Sequence, residues 1–169
     1  MPSRGHRTRR NRQTSGVDPV YDLRADKLRV RHMQEATKTR PDVGLAPVPA
    51  LVGTWRWWRT INSGRLPSTT LEGTVARVYW GSMGDWPMFT LRTTAGETSD
   101  WTREGDHTRY VEGLAIRLQY VVQFYKESIP EKNLPRGTRE RKLVIRIWLE
   151  ASDLRSELDG PGPFGLPIE

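Results

Sequence analysis

One run of twelve residues limits the folds open to this chain. In LAIRLQYVVQFY (114–125), Leu114, Ile116, Leu118, Tyr120, Val122 and Phe124 hold the even positions. The odd positions include Arg117, Gln119, Gln123 and Tyr125. A period of two is that of a strand, whose side chains point to opposite faces in turn. One apolar face must then lie on a core. KLVIRIWLE (142–150) repeats the pattern, with Leu143, Ile145, Ile147 and Leu149 directed inward and Val144, Arg146, Trp148 and Glu150 outward.

The preceding sequence reads in the same way. TLEGTVARVYWG (70–81) predicts a strand ending in a Gly-Ser-Met-Gly turn, and PMFTLRTTAGE (87–97) predicts its hairpin partner. Ser99 to Arg103 is a short third strand, and residues 103–113 are polar and irregular with room for one helical turn. Three strands, a polar interruption and two more strands joined by a basic loop match the order of a five-stranded Greek-key barrel. The expected fold class is therefore mainly β, a small OB-like Greek-key barrel with a basic N-terminal arm and helix. A PH-like or SH3-like barrel, or a β-sandwich fragment, is the alternative.

Upstream, residues 1–16 (MPSRGHRTRRNRQTSG) contain Arg4, Arg7, Arg9, Arg10 and Arg12, no acid and almost nothing apolar. Such a segment cannot offset its ordering entropy and is expected to be a disordered basic arm. Asp18-Pro19 reads as an N-cap with proline at the first helical position, starting a basic helix within 17–40. Residues 41–52 form a Pro-rich linker, 53–158 the β-barrel domain and 159–169 a Pro/Gly tail. GTWRWWRT (53–60) is expected to be a strand or clasp sealing the barrel, with Trp55 and Trp57 on one side and Arg56 and Trp58 on the other.

Charge is divided unevenly. Residues 1–70 carry 14 Lys and Arg against 5 acids, and residues 71–169 carry 13 against 15, within a total of +7. A basic leader on a neutral domain favours a polyanionic partner, nucleic acid first and anionic membrane second. No run reaches the ~18 apolar residues of a membrane span, and the N-terminus lacks a secretory h-region. With no cysteine in the chain, disulfides, thiolate zinc sites and cysteine nucleophiles are excluded, and a cytoplasmic setting is expected.

On the alternation, Arg117, Gln119, Tyr125, Arg146 and Trp148 share the outer sheet face, joined by Arg92 and by Arg77 and Tyr79 on the hairpin. Aromatics between arginines can stack bases at about 1–3 kcal/mol each while guanidiniums follow phosphates. The loop PRGTRERK adds Arg136, Arg139, Arg141 and Lys142. The competing expectation is that Tyr125 and Trp148 are covered by the N-terminal helix or by GTWRWWRT. Asp100, Glu104, Asp106 and His107 are the best catalytic cluster, but no activated nucleophile or phosphate loop accompanies them. No pair of histidines has metal-ligand spacing.

GTVARVYWG, MFTLRTTAGE, YVEGLAIRLQYV and KLVIRIWLE resemble the strand series of OB-fold single-stranded-DNA-binding proteins, over residues 70–150. The acidic tail with terminal phenylalanine found in that family is replaced here by GPFGLPIE. The resemblance implies a protein that binds single-stranded DNA or RNA; the absence of catalytic and metal-binding motifs adds the expectation of a non-enzyme without cofactor or metal, with protein partners reached through the arm and tail. The alternatives are a structural subunit or adaptor of a larger ribonucleoprotein assembly, and a membrane-surface binder.

Overall fold

A computed structural model describes residues 18–150. It contains β1 (Tyr21–Asp22), α1 (Lys27–Thr39), α2 (Trp55–Asn62), β2 (Ser68–Trp80), β3 (Pro87–Thr93), β4 (Thr98–Thr102), β5 (Ala115–Phe124) and β6 (Glu140–Glu150). The strands form one antiparallel sheet in the order β1-β6-β5-β2-β3-β4. β5 returns to lie beside β2, the first strand of the β2-β3-β4 meander, which is the Greek-key step. The mainly β half-barrel is as the alternation predicts. The arm (Arg4, Arg7, Arg9, Arg10, Arg12) and the Pro/Gly tail lie outside the described residues.

Two β-bulges curl the sheet. The β2–β3 register passes from Val75↔Leu91 to Arg77↔Thr90, leaving Ala76 unpaired. Between β5 and β6 it passes from Gln119↔Arg146 to Tyr120↔Val144, leaving Ile145 as the extra residue. A bulge bends its strand and increases local twist. The resulting curvature brings Trp101 of β4 within 5.2 Å (ring centroids) of Tyr120 on β5, although β3 and β2 lie between them in the sheet. The concave interior holds Val75, Phe89, Leu91, Trp101, Ile116, Leu118 and Ile147, all buried.

The bulge in β6 also corrects the simple alternation. Past it β6 changes phase, as an inserted residue requires: Val144, expected outward, is buried at 5% opposite Tyr120, and Leu143, expected inward, stands opposite Val121. β5 has no extra residue and keeps its phase, yet Val121 and Gln123 on its outer face are each 1% exposed and Phe124 on its inner face is 49% exposed.

The N-terminal elements depart further from expectation. Residues after Asp18-Pro19 do not start the helix: Tyr21 and Asp22 pair with Ile147 and Arg146 as an edge strand. α1 begins at Lys27, where Asp26 Oδ1 accepts the Arg29 N–H at 3.1 Å. At its other end the Lys126 ammonium donates to the carbonyls of Ala36 (3.1 Å), Thr37 (2.8 Å) and Arg40, filling acceptors the helix leaves open.

GTWRWWRT is a helix, not a strand. Thr54 caps α2 by accepting the Trp57 N–H at 3.3 Å, and Trp57 and Thr60, three apart, are the buried positions. Trp55 stays 66% exposed while Trp57 is fully buried, so the two do not share a side. Gly53 has φ +78°, and a Cβ there would lie 2.4 Å from Val30 Cγ1, so only glycine lets the entry to α2 approach α1 this closely.

Candidate functional site

The strand registers place the expected surface residues side by side. Across β2, β5 and β6, Glu72, Arg117 and Trp148 form one row, and Thr70, Gln119 and Arg146 form the next. On the hairpin, Thr74 faces Arg92, Arg77 faces Thr90, and Tyr79 faces Met88, on the same convex face. Arg77, Tyr79, Arg92, Arg117, Gln119, Arg146 and Trp148 are therefore brought together. The Arg117 guanidinium carbon lies 4.4 Å from the centre of the Trp148 ring, and that of Arg77 lies 4.8 Å from Tyr79.

The face is not uniformly basic, however. Arg77, Arg92, Arg117 and Arg146 are interleaved with Asp22, Glu72, Asp100 and Glu150 on the same face. Arg146 is paired with Asp22 at 3.2 Å. Thr90 donates to Asp100 at 2.7 Å, and desolvation reinforced by Asp100 raises the Tyr79 pKa. A shallow depression of about 460 Å³ opens beside Glu72, Gly73, Arg92, Arg117 and Glu150. Gly73, among its lining residues, lets β2 and β3 approach closely: a Cβ there would meet the Arg92 carbonyl oxygen at 2.0 Å.

Beyond the β6 bulge the same face is closed off, with Val121, Gln123 and Leu143 each 1% exposed. Val121 and Leu143 belong to the buried hydrophobic cluster that also holds Leu45, Val52 and Trp57, against which Tyr125 is partly buried. Leu45 pairs with Tyr125 across an isolated bridge, and Ala46 N–H donates to the Phe124 carbonyl at 2.7 Å. Tyr125 thus packs against its own chain, the competing expectation, while Trp148 is half-covered by Arg117.

The loop cations are not gathered on one surface. Arg139 donates from Nη1 to the Lys126 carbonyl (2.9 Å) and from Nη2 to the Ile129 carbonyl (3.0 Å), stapling its own loop. Arg141 lies 6.0 Å from the Tyr125 ring. Lys142 sits on the opposite, concave face, 5.4 Å from the Tyr120 ring and 5.7 Å from Trp101. Arg136 is exposed at φ 56° in a 3-10 turn.

The acid–histidine cluster is dispersed into structural roles. Glu104 is buried against Arg29. Asp106 accepts from Thr108 N–H (3.0 Å) and Oγ1 (2.6 Å), which holds its carboxyl below the usual range. His107 stands edge-on to Trp80 at 5.4 Å. Among the described residues no group of His, Asp and Glu could hold a metal ion.

The end of the β2–β3 hairpin was not singled out in the sequence. Trp80 is 52% exposed, Trp86 58% and Met83 94%. Trp80 pairs with Pro87 and so lies on the concave side, where the Arg103 guanidinium carbon sits 5.2 Å from its ring centre. Arg103 is itself buried and donates to the carbonyls of Tyr79 (3.1 Å) and His107 (3.4 Å). On the convex side, Trp86 Nε1 donates to Thr102 Oγ1 at 3.0 Å. Each tryptophan is thus fixed from below. The signal was present in GSMGDWP, where apolar side chains flank turn glycines, but one strand pattern cannot say that such side chains stay uncovered.

Residues 18–147 match a family model described as immunity protein RhsI2, and no curated protein matches the chain. The match overturns the resemblance to OB-fold single-stranded-DNA-binding proteins, and with it the nucleic-acid-binding function and the DNA or RNA partner. On the sheet, acids interleave with the arginines, so the cations do not form the continuous basic track that phosphate neutralisation rewards.

Proposed function

The chain belongs to the RhsI2 immunity protein family, and on that premise we propose that it neutralises a cognate Rhs toxin by binding it as a folded protein. The observation that carries this reading is the extent of the match, 18–147, which runs from before β1 into β6 and so takes in both helices and the sheet. Binding alone is sufficient for such a role, and we propose no catalysis. Glu104, Asp106 and His107 have partners inside the fold, which supports a non-enzymatic reading. We place its action in the cytoplasm, a reducing compartment in keeping with a cysteine-free chain.

Interfaces of this kind are enriched in tryptophan, tyrosine, methionine and arginine, with a few buried anchors carrying most of the energy. The exposed faces of this protein hold those residue types. The test is to mix the full chain with the isolated toxin domain of the cognate Rhs protein and measure complex formation by calorimetry, with growth rescue on co-expression. A 1:1 complex with rescue is expected. No complex and no rescue would overturn the reading. Single-stranded DNA and RNA, titrated in parallel against tryptophan fluorescence, are expected to give no salt-sensitive quenching by the described fold.

A further inference from the structure

We infer that the β2–β3 hairpin end is the toxin-docking element, a knob that inserts into an apolar cleft bordered by basic residues. The inference deepens the immunity reading and rests on it. Its shape comes from the register. Trp80 pairs with Pro87 on the concave side, whereas Trp86 bonds to Thr102, which faces Met88 on the convex side. A tryptophan therefore flanks each side of the hairpin, and Met83, 94% exposed, sits at its apex. A flat partner could cover one flank; only a concave one covers both.

The knob is pre-organised. Buried Arg103 supports Trp80 from beneath, and Gly81 N–H donates to the Trp86 carbonyl at 2.7 Å to close the turn. Rigid aromatic anchors lose little conformational entropy on binding, which removes one of the costs of association. Charge selects the partner's rim. Asp85 is the one charged residue between Trp80 and Met88 and is exposed, whereas Asp106 is offset by exposed Arg109 in the same turn. On a chain of net charge +7 the apex of the hairpin is thus acidic, so complementarity calls for cations on the rim of the cleft that receives it.

The test measures binding of the cognate toxin domain to the full chain and to variants whose circular dichroism and melting match the parent. Met83→Ala with Trp86→Ala is expected to raise Kd at least ~30-fold, the scale of a hot-spot loss. Asp85→Lys is expected to slow association and flatten its salt dependence. Arg117→Ala with Trp148→Ala, on the convex face, is expected to change Kd by less than about threefold, as truncations outside a hot spot do. If the parent binds and the Met83/Trp86 variant binds equally well, the knob is not the docking element. Unchanged association in the Asp85 variant would overturn the basic rim. If the parent itself fails to bind, the immunity reading fails instead.

Discussion

Arg29 on α1 donates from Nη1 to Oε2 of Glu104, just past β4, joining residues 75 apart in the chain. The Glu104 side chain is 9% exposed and that of Arg29 27%. Burial works against the Arg29 charge, but Glu104 outweighs it and the guanidinium pKa is raised. The pair ties the N-terminal helix to the sheet's β4 end.

Removing one member should be costlier than removing both. Glu104→Ala leaves Arg29 unpaired and is expected to cost about 2–3 kcal/mol, below the ~3–5 of a fully buried pair because Arg29 keeps access to water. Arg29→Met with Glu104→Leu should recover most of that loss. Urea denaturation of the two variants checks the order.

Tyr21 supplies a pH prediction. Its hydroxyl is buried without an aligned hydrogen-bond partner, and desolvation raises its pKa from the ordinary 10.0. Tyr110, whose hydroxyl donates to the Glu104 carbonyl at 2.8 Å, is raised for the same reason. Above pH 10 the unfolded chain releases these protons while the folded chain keeps them, so stability should fall as pH rises from there. Tyr21→Phe should be neutral or stabilising at pH 7 and should lessen the alkaline loss. Thermal melts at pH 7 and at about pH 11, one unit above the tyrosine reference, measure both effects.

The two ends of the tryptophan run should respond differently. Trp57 is fully buried, and Trp57→Ala is expected to cost about 3–5 kcal/mol. Trp55 is 66% exposed, and Trp55→Ala should change stability by less than about 0.5 kcal/mol. A strand or clasp with both rings on one side would give similar losses. Chemical denaturation of the two variants separates the arrangements.

Lys126 holds the C-terminal carbonyls of α1 from the β5–β6 loop. Lys126→Met keeps the stem and removes the ammonium, and should cost about 1–2 kcal/mol. Hydrogen exchange is expected to rise first at the end of α1, near Ala36 and Thr37, before the sheet is affected.

The strands were legible because their alternation is local. The β2–β3 hairpin, the short β4, β5 and β6 all fall where period two or a turn signal put them. The convex-face set from Arg77 to Trp148 was legible for the same reason, since residues of one parity stay on one face until a bulge intervenes. What misled was the chemistry assigned to that face. Arginines and aromatics were read without the acids that pairing sets beside them, Glu72 opposite Arg117 and Asp100 opposite Thr90.

By itself, the sequence determined a curved antiparallel sheet with one apolar face, because side-chain parity along a strand needs no knowledge of neighbours. Tertiary structure decided everything that depends on which strand lies beside which. Bulges at Ala76 and Ile145 shift the registers, buried Gln123 and half-buried Tyr125 pack within the fold, and the run at 53–60 winds into a helix because Trp57 finds the core. Tertiary structure also leaves Trp80, Met83 and Trp86 in water. Exposure is a property of what packs against a side chain, and no local pattern encodes a covering element that does not come.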